Sequence, residues 1–126
     1  DALRKEKAMG AVKELENSAV AFNDAKAIVA RTSLDSGSVK DLVFKLKSTP
    51  STLVILGNVV EGKVTLSIGV SDDLVATKGW HAGNAVRTLA KHINGGGGGQ
   101  PGFATAGGKN PDGIDKVLVE WKNEFS

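Results

Sequence analysis

At 126 residues the chain fits one domain of the usual size of roughly 100–200 residues. A hydrophobic fraction of 40%, with 16 glycines besides, can build a core, because the ordinary share of about 45–50% counts glycine as apolar; charged residues at 24% argue against a disordered chain. The net charge of +2 is small for a dedicated non-specific DNA binder, so a nucleic-acid partner has to be met by clustered cations, and the absence of cysteine excludes disulfides, thiolate metal sites and a cysteine nucleophile.

The chain opens on Asp1-Ala2-Leu3-Arg4-Lys5-Glu6-Lys7, which is charged and helical in character and unlike a signal peptide. It has no initiator Met there and reads as a piece cut from a longer protein. No run approaches the ~20 apolar residues of a membrane span. Ala8, Val12, Leu15, Ala19 and Phe22 repeat at four, three, four, three, an a/d seam of about two heptads. Two readings stay open: an amphipathic helix packed on its own domain, or the end of a helical arm. Residues 1–24 are accordingly assigned to a helical stalk and residues 25–126 to a globular domain.

Ala27 to Leu34 suits a strand, and Asp35-Ser36-Gly37 a turn. Ser38 then reads as an N-cap with Asp41 three residues on. Val39, Leu42, Val43 and Leu46 fall on one helical face, and Pro50 stops that helix. Thr52 to Val60 is nearly continuous apolar, as in a strand buried on both faces. Glu61-Gly62 turns into Lys63–Val70, whose Val64, Leu66, Ile68 and Val70 alternate to one side, so the pair forms a hairpin. Asp72-Asp73-Leu74 begins a link to a helix over Ala82–Ile93, whose apolar face is Ala82, Val86, Leu89, Ala90 and Ile93 and which ends at Asn94-Gly95. After a glycine-rich segment, Asn110 or Asp112 caps a last helix with Pro111 near its first turn. Its stripe is Ile114, Val117, Leu118, Trp121 and Phe125. The order predicts an α/β fold, a small mixed sheet of about four strands packed by helices and preceded by an N-terminal helix.

The chemistry concentrates in Gly95, Gly96, Gly97, Gly98 and Gly99, followed by Gln100-Pro101-Gly102-Phe103-Ala104-Thr105-Ala106-Gly107-Gly108-Lys109. Such a run is either a loose linker or a backbone surface that a partner approaches closely. Its successive N–H groups suit a phosphate nest, which the helix start near Pro111 would reinforce if it faced the same site. Two nucleotide motifs fail on context. Gly97-x-Gly99-x-x-Gly102 follows a helix where the dinucleotide fingerprint requires a strand, and Gly102 to Asn110 misplaces the lysine of a phosphate loop and lacks its Ser or Thr. Lys78, Arg87, Lys91 and Lys109, with His81 and His92, flank the glycines in sequence, and Arg87 and Lys91 are four apart on one helix. Trp80 is either a stacking residue or core; Trp121 is core. The two histidines lie roughly 16 Å apart along a helix axis, too far to share a metal, and Asp72-Asp73 is best read as a solvated turn or cap. No Ser–His–Asp set stands out, so catalytic residues are expected to be absent.

The segment Gly95–Lys109 resembles the signature near the C-terminus of alanyl-tRNA synthetases, a glycine run followed by Arg-Pro-Asp-Met-Ala-Gln-Ala-Gly-Gly. The upstream hairpin, His81-Ala82-Gly83 and the final helix are similar to that family too. Its domain is named DHH-associated because related copies follow DHH phosphoesterase domains. Gln100 replaces the usual Arg, Gly102 the usual Asp and Phe103 the usual Met, so a charged phosphate donor is missing at position 100. The resemblance implies a non-catalytic domain that binds the outer corner of tRNA, alanine tRNA in particular, and links aminoacylation with editing. It implies the catalytic and editing domains of a cytoplasmic parent as partners. The parent would use ATP, Mg and Zn, and this fragment would hold no cofactor. Lys78, Trp80, His81, Arg87, Lys91, Gly95–Gln100 and Lys109 are the expected contacts. DNA as a further ligand, self-association through the first helix, and the substrate-binding half of a DHH phosphoesterase are the alternatives.

Overall fold

The computed structural model describes residues 19–22, 25–33 and 36–125. Within them the chain forms a six-stranded sheet and four α-helices. The strands are β1 (Val20–Phe22), β2 (Ala25–Thr32), β3 (Thr52–Val60), β4 (Lys63–Val70), β5 (Gly96–Gly99) and β6 (Phe103–Gly108); the helices are α1 (Ser36–Lys47), α2 (Asp72–Lys78), α3 (Ala82–Leu89) and α4 (Ile114–Phe125). The strand order is β1-β2-β3-β4-β6-β5. Only β2 and β3 run parallel, as a β–α–β unit through α1 requires; every other neighbouring pair is antiparallel.

Strand β3 is central, and its continuous apolar run is explained by cover on both faces. Leu53 and Ile55 join a cluster with Val86, Leu89, Ile93, Ile114, Val117 and Trp121 from α3, the turn after it and α4. Val54 and Leu56 point the other way, onto Val39, Leu42, Val43 and Leu46 of α1. The alternation in β4 aims Val64, Leu66, Ile68 and Val70 into the first cluster. Glu61 and Gly62 both have positive φ, 51° and 78°, and join Val60 to its partner Lys63 as a two-residue hairpin turn whose twist suits the strands.

The sheet has six strands where about four were expected, and the strands not foreseen have physical causes. Val20–Phe22 falls within the expected helical seam, yet it pairs with Ala25–Ala27 of β2. Phe22 is held there edge-on to Trp121, with ring centroids 4.7 Å apart, and beside Trp80 at 6.0 Å. Ala19 packs against the α1-side cluster; Ala8, Val12 and Leu15, and with them the rest of the stalk and its self-association, lie outside the described residues. The other additions, β5 and β6, come from the glycine segment. Smaller corrections follow from helix starts: α1 begins at Ser36, so Ser38 lies in its first turn and is not its N-cap. Asp72–Lys78 is a helix in its own right, and the helix predicted to run to Ile93 becomes 3-10 from Ala90.

Packing leaves little room at two glycines of the sheet. A Cβ on Gly57 would lie 2.7 Å from Ile114 Cγ2, and one on Gly69 would lie 2.5 Å from Val43 Cγ1. Gly57→Ala is expected to cost about 1–3 kcal/mol through overpacking against α4, read as a lowered urea midpoint with an unchanged slope.

The start of α2 is tied to the loop before β3. Ser51, a non-glycine residue at φ 58°, donates its N–H to Asp73 Oδ2 at 2.9 Å and its hydroxyl to the same oxygen at 3.1 Å. Hydrogen bonding from the Ser71 hydroxyl, then from the Ser51 N–H, holds the Asp73 carboxyl below its ordinary 3.8, against a smaller opposing effect of burial. The unfolded chain therefore takes up this proton first as pH falls. Stability from Asp73 is present above pH 3.8 and is lost as pH drops through the lower folded value. In urea titrations over that acid range, Asp73→Asn is expected to flatten this part of the decline.

Candidate nucleic-acid interface

The glycine run is neither a linker nor a nest. Gly96–Gly99 is an edge strand registered on β6, with Gly97 opposite Ala106 and Gly98 opposite Thr105. None of these glycines has positive φ, so the left-handed turns that aim successive N–H groups into one concavity are missing. The residues are glycine because other backbones come too close. A Cβ on Gly97 would lie 2.2 Å from Thr105 O, and one on Gly99 would lie 2.6 Å from Phe103 O. From above, α3 presses on the same strand: a Cβ on Gly83 would stand 2.7 Å from Gly99 O.

Arg87, exposed on α3, lies along this strand. Its Nε is 3.2 Å from where a Gly98 Cβ would be, so the guanidinium takes the space a side chain would fill. At the tip of the hairpin, the Ala82 N–H donates to Pro101 O at 2.9 Å. His81 caps α3 there: its Nδ1 accepts the Asn84 N–H at 3.1 Å, which leaves the neutral ring its proton on Nε2. Gln100 is exposed beyond Gly99, and its backbone N–H closes the turn on Phe103 O at 2.9 Å.

The remaining expected contacts divide. At the opposite end of the hairpin, the Lys109 N–H donates to Ile93 O at 2.9 Å, which sets Lys109 near Lys91; both are exposed. The cations therefore spread along the hairpin's four paired residues, about 13 Å at 3.4 Å per residue, and do not form one knot. Lys78 is exposed at the end of α2 and has an interaction of its own. Trp80 is a correction: only 8% exposed and packed beside Phe22, its ring is core and not a platform for a base. Trp121, read as core, is 2% exposed. The start at Pro111 is a 3-10 turn packed on the turn after α3: the Asn110 N–H donates to Ile93 O and its side-chain amide to His92 O, and a Cβ on Gly113 would collide with His92 O. His92 Nε2 meets Glu120 Oε2 at 2.5 Å, a tie between the 3-10 turn and α4.

One part of this surface escaped sequence reasoning. On the face opposite α3, a groove of about 600 Å³ runs between the β5–β6 hairpin and α1, lined by Lys40, Phe44, Lys47, Gln100, Phe103 and Thr105 among others. The i, i+4, i+7 spacing of Lys40, Phe44 and Lys47 was a legible signal, but it is also what any solvated helix face shows.

Taken together, these features define an α/β domain whose sheet ends on an edge strand without side chains. The DHHA1 domain family model matches residues 23–126, and the chain belongs to that family. Among similar proteins are the alanine–tRNA ligases of Christiangramia forsetii, 43% identical over 119 residues and 94% of this chain, and of Cytophaga hutchinsonii, 38% identical over 125 residues and 98% of this chain. The chain spans only 14% of the length of either relative. The C-Ala domain of Aquifex aeolicus alanyl-tRNA synthetase shares the fold, with a TM-score of 0.76 at 23% identity, covering 86% of this chain and 97% of that one.

The close approaches single out individual glycines. Gly97→Ala is expected to lift β5 from β6 and to speed amide hydrogen exchange across that pair by tenfold or more, the effect of about 1.4 kcal/mol. Gly96→Ala, with nothing within 4 Å of its Cβ, is expected to leave exchange there within a factor of about two.

Proposed function

We propose that this chain is the tRNA-binding C-terminal domain of an alanyl-tRNA synthetase. It contacts the outer corner of tRNA and helps one alanine tRNA serve both the aminoacylation and the editing domains of a cytoplasmic parent. In this reading the domain does no chemistry, and ATP, Mg and Zn belong to the parent's other domains. The observation that carries it is the Arg87 guanidinium lying along the glycine strand. Side chains there would hold a partner off; their absence lets a sugar–phosphate backbone come close, with a cation already beside it. Family membership and the likeness to alanine–tRNA ligases support tRNA as the partner, and a folded corner suits recognition by shape. Gln100 offers amide hydrogen bonds without charge, so affinity rests more on Arg87, Lys91 and Lys109.

The test is a salt-dependent titration of this chain against alanine tRNA, an RNA hairpin lacking the folded corner, and a DNA duplex. Tighter binding to the tRNA is expected. Equal, weak binding to all three would mean general electrostatics and overturn the reading. Arg87→Ala with Lys91→Ala is expected to lower affinity and to reduce the salt slope by about 1.4–1.8, at roughly 0.7–0.9 for each phosphate no longer neutralised.

A further inference from the structure

The α1 face of the sheet is covered by one helix, the other by two. The twelve residues of α1 pack over β3 and β4, with Ile28 of β2 in the same cluster. Beyond them β4 and β6 keep Thr65, Ser67, Phe103 and Thr105 at the wall of a second cavity of about 370 Å³, which shares Lys40, Phe103 and Thr105 with the groove beside α1. The two form one open trough along the outer side of α1.

The side chains over that trough are of two kinds. Phe44 is 43% exposed, unusual for a ring so near a core, and it packs on Phe103 with centroids 4.7 Å apart at a 34° tilt. Lys40 and Lys47 flank it, one helical turn to either side, about 10 Å from end to end. Lys47 Nζ sits 5.4 Å from the Phe44 ring, and a Cβ on Gly102 would be 3.0 Å from that Nζ. Among the described residues neither lysine is in an ion pair. Among the described residues, the one acid on the trough is Asp72, at its α2 end. Gln100 and Thr105, both exposed, add an amide and a hydroxyl to the lining.

One exposed ring, Phe44, backed by the half-buried Phe103 and flanked by two cations over an open trough with polar edges, supplies the elements that hold single-stranded nucleic acid: the ring stacks on a base and the cations meet the phosphates on either side. An acidic peptide would use the lysines but leave the rings idle, and an apolar helix would bury both lysines without partners. We infer that the Lys40–Phe44–Lys47 stripe, with Phe103, is a second RNA subsite that takes an unstacked base and its two flanking phosphates. The hairpin then touches RNA on both sides, Arg87 on the α3 side and this stripe on the α1 side, with Gln100 at the tip between them. The inference rests on the reading of the partner as RNA; the position of the subsite does not.

The test compares wild type, Phe44→Ala, Phe44→Trp, Lys40→Gln/Lys47→Gln and Arg87→Gln, each binding alanine tRNA and an unstructured oligonucleotide carrying 2-aminopurine. Phe44→Ala is expected to weaken tRNA binding about tenfold with the salt slope unchanged, and Phe44→Trp to retain affinity and quench 2-aminopurine fluorescence. The double lysine variant is expected to lower the slope by about 1.4. Thermal melts of each variant separate weakened binding from unfolding, and Phe44→Trp keeps the ring if Phe44→Ala is destabilised. If Arg87→Gln weakens tRNA binding while the Phe44 and lysine variants match wild type, the subsite is overturned and the tRNA reading stands. Dependence on Phe44 with no preference for tRNA over the oligonucleotide would support the subsite and sink corner recognition. If the wild type binds neither RNA, both fail.

Discussion

Strand β5 lies against two backbones at once, β6 beside it and α3 above it. At Gly97 and Gly99 a single methyl group would enter a carbonyl of β6, and Gly83 meets the Gly99 carbonyl from the helix side. Ordering such a run costs more backbone entropy than ordering any other residues. The cost is offset by ladder hydrogen bonds to β6 and by the apolar face of α3, whose Val86 and Leu89 are buried. With α3 this close, Arg87 falls along the strand, His81 reaches the hairpin tip and the following 3-10 turn meets Lys109. The geometry of the candidate site is therefore a consequence of backbone packing.

Edge strands invite unwanted pairing, and natural sheets protect them with charge, short length or cover. Here β5 is four residues long and Arg87 lies over it. The same features that guard the edge make it approachable by an anionic partner, because a phosphate needs no strand register to meet an N–H or a guanidinium. The +2 net charge is an average over the whole molecule: Arg87 lies over the strand, and among the described residues the trough beside α1 has Lys40 and Lys47 on its lining against one acid, Asp72, at its α2 end.

Unequal cover of the sheet supplies the second surface. On the α3–α4 side Trp121, Ile114, Val117 and Ile93 fill the space over β3 and β4; on the other, α1 reaches only part way. The polar alternates of β4 line the cavity at this end, Thr65 half-buried and Ser67 buried beneath it. Gly69, next in that alternation, sits where α1 does reach and has no room for a side chain beside Val43.

Periodicity alone determined the helical faces of α1, α3 and α4, the doubly buried β3 and the β3–β4 hairpin, because apolar spacing records which side of an element meets the core. It also placed Trp121 inside, and the glycine signature pointed to the family. Three things waited for the tertiary structure. A glycine run carries no periodicity, so only the proximity of α3 and β6 reveals that it is a strand and that its glycines avoid collisions and do not form turns. Phe22 fits a heptad as well as a strand, and the two tryptophans waiting across the sheet decided between them. Trp80 and Phe44 show the limit most plainly: Trp80 is buried with Phe22 and Trp121 on the α3–α4 side of the sheet, Phe44 stays exposed on α1 beside Phe103, and no spacing in the sequence separates the two.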